Sequence, residues 1–370
     1  MISTVTAPTG GTGALPASGR PGLRLDATDL VVGPGLIDLQ INGGYGIDLA
    51  TEPERLWELG RLLAATGVTA FLPTIVSSPI DRIEAARTAL ADRPPDHRGA
   101  EPLGLHLEGP LLATTRRGAH HPDHLRSIDP ELVGRWSAAT GVALVTLAPE
   151  LPGALDAIAT LDRHGVVVAG GHTDADAAQA AAATDAGMGL VTHLFNAMAP
   201  LGHRAPNLVG YVLGSGRLRA GLIVDGVHID PLVVAMVWRV LGPERTVLVT
   251  DAVAAMGLDP GRHRLGRTTI TTDGVAVRTA TGTLAGSTLT MDRAIRELQT
   301  MTGAGLADAV TAASATPAAV LDDESRGHLR PGRRADLTLF TTDGVVAATV
   351  VGGDVVYLAD GHQDRLNPAA

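Results

Sequence analysis

The sequence predicts a (β/α)8 barrel with a small β-domain formed from the two ends of the chain. Three observations carry this. Eight near-continuous apolar segments, residues 35–40, 68–73, 102–108, 142–148, 166–170, 188–193, 218–224 and 246–251, read as strands buried on both faces. Helical stretches separate most of them, at 52–66, 79–92, 130–140, 154–164, 174–185 and 231–241. Strands and helices alternating at this spacing make parallel units, and eight such units favour a barrel over an open sheet. Finally, no Gly-x-Gly-x-x-Gly turn with an acidic partner marks a dinucleotide-binding sheet.

The connection between the sixth and seventh strands is short and rich in Gly, Pro and Asn, which predicts a loop in place of a full helix. After Asp251 the pattern changes. Residues 268–272 and 275–279 flank Asp273-Gly274, a hairpin signal. Helices return at 290–302 and 306–321, and the tail at 330–340 and 345–357 is again strand-like. The expected division is therefore 1–33 as the first part of the small β-domain, 34–328 as the barrel and 329–370 as the remainder of the β-domain.

With 370 residues, 45% of them hydrophobic, the chain can bury one large core and a small satellite. The 39 acidic against 29 basic residues give a formal charge of −10, which argues against nucleic-acid or membrane-surface binding. An anionic small molecule stays open, because a few local cations suffice to hold one. There is no cysteine, so disulfides, thiolate nucleophiles and Cys-bound zinc are excluded. There is also no lysine, which removes Schiff-base chemistry and a carbamylated lysine bridging two metals. Residues 1–19 lack the basic start and apolar core of a signal peptide. No apolar run reaches the roughly 18 residues of a membrane span, so a soluble cytoplasmic protein is expected.

Four of the predicted strands end in a residue that does chemistry. Leu103-Gly-Leu-His-Leu-Glu-Gly-Pro110 delivers Glu108, and Val168-Ala-Gly-Gly-His172 delivers His172. Gly189-Leu-Val-Thr-His193 delivers His193, and Val247-Leu-Val-Thr-Asp251 delivers Asp251. A parallel barrel gathers these ends on one face, where its active sites lie. A carboxylate at a buried strand end is costly unless paired or metal-bound. One Glu and two His leave a fourth position for water, as catalytic metal sites do. Asp251 then accepts the water's proton and returns it to the leaving nitrogen. His228 and His120 lie in loops after strands seven and three, placed to bind substrate oxygens or polarise a carbonyl. Arg204 is a candidate phosphate ligand through its planar fork. Each has an ordinary reading: a structural ion pair, hydrogen-bonded core histidines, a capping Asp, a surface Arg. Four strand ends of matching chemistry favour the site. His121, His124, His164 and His203 have no comparable setting.

Taken together, these segments resemble the N-acetylglucosamine-6-phosphate deacetylases of the amidohydrolase superfamily. The likeness runs from Pro34-Gly-Leu-Ile-Asp-Leu-Gln-Ile-Asn-Gly43 to residues 327–340, most of the chain. It includes Leu72-Pro-Thr74, His106-Leu-Glu-Gly-Pro110, Thr146-Leu-Ala-Pro-Glu150, Ala169-Gly-Gly-His172 and Thr192-His-Leu-Phe-Asn-Ala-Met198. Asp225-Gly-Val-His228, Val249-Thr-Asp-Ala252 and Leu284-Ala-Gly-Ser287 complete it. The resemblance implies hydrolysis of the acetamide of N-acetylglucosamine 6-phosphate, with Glu108, His172 and His193 as metal ligands and Asp251 as acid/base. It implies substrate contacts at Ala119, His120, Asn196, Ala197 and Arg204, at Asp225 through His228, and at Leu284, Ala285 and Gly286. Arg204 is expected to reach the sugar phosphate of a neighbouring subunit in a homodimer or homotetramer.

Many members of the superfamily carry His-x-His at the end of the first strand and hold a second metal there. Here the positions read Gln40-Ile-Asn42. The expectation is one divalent ion per subunit, Zn²⁺ first, with Fe²⁺ or another divalent ion as alternatives. Gln40 is expected near the metal's water without strong ligation. The chain departs from the family in the short segment before Pro34 and in Arg204-Ala-Pro-Asn207, where Arg-Glu-Pro-Gly is usual. Three alternatives remain. One is the same reaction on N-acetylgalactosamine 6-phosphate. A second is a cyclic-amide hydrolase such as a dihydroorotase, which the missing His-x-His and lysine oppose. The third is a phosphosugar-binding protein without catalysis, which the intact Glu108, His172, His193 and Asp251 oppose.

Overall fold

The computed structural model describes residues 4–6 and 23–368. The parts of the expected terminal segments at 1–3, 7–22 and 369–370 lie outside the described residues. Eight strands run parallel, in chain order around one sheet. They are β1 (Leu36–Ile41), β2 (Val68–Val76), β3 (Leu105–Glu108), β4 (Val142–Leu147), β5 (Val167–Gly170), β6 (Met188–Val191), β7 (Arg219–Leu222) and β8 (Thr246–Leu248). All of β1 and β3 is buried. Side chains on both faces therefore need apolar surroundings, which the barrel interior and the outer helices supply. Among the described residues no helix is long and apolar enough to cross a membrane.

Three helical expectations need correction, the first being 306–321, which is two helices, Leu306–Ala313 and Ala315–Val320, broken at Ser314. The β6–β7 connection does contain a helix, Asn207–Ser215. The Gly, Pro and Asn signal belongs to the loop before it, while Leu208, Val209 and Val212 share one buried helical face. The stretch 130–140 is not one helix but a single turn, Pro130–Val133, and a 3-10 turn, Ala138–Thr140. Ser137 and Thr140 cap each other there, diverting the backbone bonds a continuous helix would use.

The seam between β8 and β1 decides how the site is assembled. Only one bridge, Ile41 to Ala252, joins the two in register. Around it the Asp251 N–H donates to the Gln40 carbonyl at 2.9 Å and the Asn42 N–H to the Ala252 carbonyl at 2.8 Å. Below lies the buried Asp38 carboxyl, which accepts from Thr250 Oγ1 at 2.5 Å and from the Gln40 and Thr250 amides at 3.2 and 3.3 Å. Burial pushes its pKa up to about 7 against those bonds. The result holds Gln40, Asn42 and Asp251 side by side.

After Asp251 the chain forms a four-stranded antiparallel sheet, Gly261–Leu265, Thr268–Thr272, Ala276–Thr279 and Leu284–Ser287. The hairpin at Asp273-Gly274 is present; its two outer strands were not legible in the sequence. Its core is Val253, Ala255, Leu265, Ile270, Val277 and Ala285. The sheet is tied to the barrel by the Gly266 N–H, which donates to the buried Asp48 carboxylate at 2.5 Å.

The ends of the chain supply the small β-structure. Asp354–Leu358, Val346–Val351, Leu337–Phe340 and Val31–Pro34 form one antiparallel sheet in that order, and Thr4–Thr6, Leu23–Asp26 and Leu366–Pro368 form another. Arg326, largely buried, pairs with Asp323 at 2.8 Å and with Glu101 and Asp336 at 3.1 Å, linking this structure to the β2–β3 connection.

Candidate active site

The barrel brings Glu108, His172, His193 and Asp251 to one mouth, all at least nine-tenths buried. They reach it by different local means. Glu108 is the last residue of β3. His193 and Asp251 lie beyond the paired ends of β6 and β8, and their backbones, with that of His172, are left-handed: φ is +50° at His172, +26° at His193 and +49° at Asp251. Each such conformation costs a non-glycine residue on the order of 1–3 kcal/mol and persists only where surrounding structure enforces it. At His172 the enforcement is visible. Thr173 Oγ1 and the Asp174 amide donate to the Glu150 carboxylate at 2.5 and 2.6 Å, clamping the turn.

Three ligand atoms face one another. His172 Nε2 lies 3.0 Å and His193 Nε2 2.9 Å from Glu108 Oε1, and the two nitrogens are 3.1 Å apart. His172 Nδ1 donates to the Arg116 carbonyl at 2.9 Å, which fixes the ring with Nε2 toward the cluster. Two imidazole nitrogens and a carboxylate oxygen converging in this way are only partly satisfied by shared protons. They fit a divalent cation, and this is the group of His, Asp and Glu side chains among the described residues able to hold one.

The two carboxylates are driven in opposite directions. Burial works to raise the Glu108 pKa, yet the hydrogen bonds from His172 and His193 hold it well below the usual carboxylate range. Burial raises Asp251 to about 6, helped by the negative charge of Glu108. Gln40 Nε2 spans the pair, 3.2 Å from Glu108 Oε1 and 3.1 Å from Asp251 Oδ1. Its amide nitrogen faces them, so Gln40 is a donor to both carboxylates.

His120 sits 3.8 Å from Glu108 Oε2, its ring edge-on to His172 with centroids 4.5 Å apart. Burial, and then the neighbouring His172, push its pKa down to about 3, so it is neutral. His106, beside Glu108 in sequence, lies in the barrel interior: Nε2 accepts from Thr146 Oγ1 at 2.8 Å and Nδ1 donates to the Leu39 carbonyl at 3.1 Å.

The mouth opens into a cavity of about 660 Å³ whose lining includes Ala119, His120, Asn196, Ala197, His228, Leu284, Ala285 and Gly286. These expected contacts are all brought to one space. Two others are not. Asp225 does not line the cavity; its carboxylate accepts from His228 Nδ1 at 2.7 Å and from the Val227 and His228 amides at 2.8 and 2.9 Å. It holds His228 in place and so acts through it. Arg204 is exposed outside the cavity, its Nη1 on the adjacent His203 ring at 2.7 Å.

The sequence reading missed two side chains. Asn42 is 4% exposed, lines the cavity and donates from Nδ2 to Asp251 Oδ1 at 2.7 Å. Its signal was available, since it stands two positions after Gln40 and therefore on the same strand face. Ser77, beyond the end of β2, contacts His120; a serine after a strand carries no sequence signal of its own.

The chain matches the model of the Amidohydrolase family over residues 31–356. It belongs to that family. The family and the buried Glu108, His172 and His193 together point to a divalent-metal site. Among similar family members, human N-acetylglucosamine-6-phosphate deacetylase is 38% identical over 353 residues, 91% of this chain and 86% of that protein. A Shewanella N-acetylgalactosamine-6-phosphate deacetylase is 35% identical over 344 residues, 92% of this chain and 86% of that one. A mutant N-acetyl-D-glucosamine-6-phosphate deacetylase from Mycobacterium smegmatis, solved in complex with N-acetyl-D-glucosamine-6-phosphate, superposes with a TM-score of 0.83 at 34% identity, covering 90% of this chain and 94% of that one.

Proposed function

We propose that the protein hydrolyses N-acetyl-D-glucosamine 6-phosphate to D-glucosamine 6-phosphate and acetate. The observation that carries the chemistry is the pair of strand-end carboxylates in one cavity, one held charged beside two imidazoles and the other raised to about 6. The substrate rests on the relatives of that name.

Glu108, His172 and His193 hold one divalent ion, Zn²⁺ as the first expectation and Fe²⁺ as the alternative. Such an ion, when bound, lowers the pKa of water toward about 7 and polarises the scissile carbonyl. Asp251, positioned by Gln40 and Asn42, takes the proton from the attacking water. His120 donates from Nε2 to the carbonyl oxygen as charge collects there. The new C–O bond forms, the C–N bond breaks, and protonated Asp251 gives its proton to the departing nitrogen. His228, steered by Asp225, faces the sugar with the Asn196 and Ala197 turn and residues 284–286. Arg204, turned outward, serves the sugar phosphate of a neighbouring subunit in a homodimer or homotetramer. The setting is cytoplasmic, where phosphorylated sugars are found.

The test is acetate release from N-acetylglucosamine 6-phosphate, with metal analysis of the same sample before and after chelation. Release that stops on chelation and returns with added metal is expected. A metal-loaded protein that releases no acetate from either epimer would leave only a binding function. The Shewanella relative keeps N-acetylgalactosamine 6-phosphate as a second reading. Comparing kcat/KM for the two phosphosugars separates them.

A further inference from the structure

We propose that Ser77 is a positioning residue: its backbone amide fixes which nitrogen of His120 carries the proton. The Ser77 N–H donates to His120 Nδ1 at 3.2 Å, and Ser77 Oγ lies 2.8 Å from the same nitrogen. A main-chain amide is a donor and cannot accept. Nδ1 must therefore present its lone pair, which leaves Nε2 as the nitrogen that carries the ring's proton. Nε2 is the nitrogen toward Glu108, 3.8 Å from Oε2, on the wall of the cavity. A proton on Nδ1 would meet the Ser77 N–H head-on, so the alternative tautomer and the doubly protonated ring are both opposed by the main chain.

Ser77 is itself immobilised. It is 4% exposed, and its carbonyl accepts from His124 Nδ1 at 3.1 Å. Gly109 packs so tightly on it that a Cβ at that position would stand 2.3 Å from Ser77 Oγ. On the other side, Arg117 Nη1 donates to the His120 carbonyl at 3.0 Å, and the His120 amide donates to the Arg117 carbonyl at 3.0 Å. Ring and amide thus meet between two fixed segments. An amide that holds a neutral imidazole as an electrophilic N–H donor is a known solution for polarising a carbonyl. The proposal rests on the reading of His120 as the group that meets the substrate oxygen; it adds the residue that keeps the ring in its donating form.

The test uses the full chain, loaded with Zn²⁺ and labelled with ¹⁵N-histidine, near neutral pH. Long-range ¹H–¹⁵N ring correlations report the tautomer of each histidine, and His120→Gln identifies the His120 signals by their loss. A protonated Nε2 with a bare Nδ1 is expected. A proton on Nδ1, or on both nitrogens, would overturn the proposal. Ser77→Ala keeps the amide, so the same pattern is expected, with kcat lowered by no more than about tenfold for one lost hydroxyl contact. Ser77→Pro removes the donor. There the single tautomer should give way to a mixture, with kcat down on the order of 10²-fold and KM much less affected, as for loss of an aligned oxyanion donor. An unchanged Nε2–H signal with wild-type kcat in Ser77→Pro would also overturn it. Should that variant not fold, the wild-type and Ser77→Ala spectra still decide. Acetate release is scored separately. The expected tautomer in a protein that releases no acetate would sink the functional reading and leave the role of Ser77 standing.

Discussion

Glu108 and Asp251 are both carboxylates at strand ends, both buried, and both touched by the amide of Gln40. Their surroundings make them opposites. Glu108 has two imidazole nitrogens within 3.0 Å and stays charged. Asp251 has amide donors only, from Gln40 and Asn42, and faces the charge of Glu108, so its proton affinity rises. A group that must hold a cation and a group that must carry a proton are thereby made from the same chemistry, separated by what stands next to each.

Exchanging each carboxylate for its amide breaks the comparison most directly. Asp251→Asn should retain its metal and lose turnover by about 10³–10⁴-fold, the scale of a missing general base. Glu108→Gln should lose the metal itself, with affinity down about 100-fold or more for a lost charged ligand. Metal analysis beside kcat for both variants checks this, and a metal-free Asp251→Asn protein would merge roles kept apart here. Next in size, His120→Ala should lower kcat roughly 10²–10³-fold with metal still bound, since it removes one donor to the developing oxyanion. Single-turnover acetate release measures it.

The third effect is one of pH. Asp251 must be ionised to accept a proton, so kcat/KM should rise with pH and fall about tenfold per unit below its pKa. In the metal-free protein that value is raised to about 6. A bound cation, being of opposite charge, draws the limb to that value or lower. An acid limb above pH 7 would point to another base. The smallest effect concerns stability without metal. The folded pKa of Asp251 lies above its unfolded value, so its ionisation works against folding as pH rises past that value. That of Glu108 lies below, so its charge favours folding above the unfolded pKa, and this contribution is lost as pH falls. At pH 7, metal-free Asp251→Asn should melt a few degrees above the wild type and Glu108→Gln a few degrees below. The reverse order would show that the pair is not polarised as described.

How legible the site was depended on the kind of residue. Glu108, His172, His193 and Asp251 each follow a buried apolar run, and a polar group there is conspicuous. Gln40 and Asn42 share a strand face by period alone. Asp225 was expected at the substrate from the family resemblance; only the folded loop shows its carboxylate turned back onto the His228 ring. Ser77 was invisible, since its main-chain amide acts and every residue but proline has one. The helix Asn207–Ser215 was hidden by the loop composition just before it.

The order of apolar strands and the residues at their ends determined the barrel and the four principal side chains, because hydrophobic period and strand-end chemistry are local properties. What only the tertiary structure decided is the state of each group: which carboxylate keeps its charge, which ring nitrogen keeps its proton, which side chain faces the cavity and which supports another from behind. Those depend on burial and on donors brought from distant stretches of chain, and distances of about 3 Å between residues far apart in sequence are set by the closing of the barrel alone.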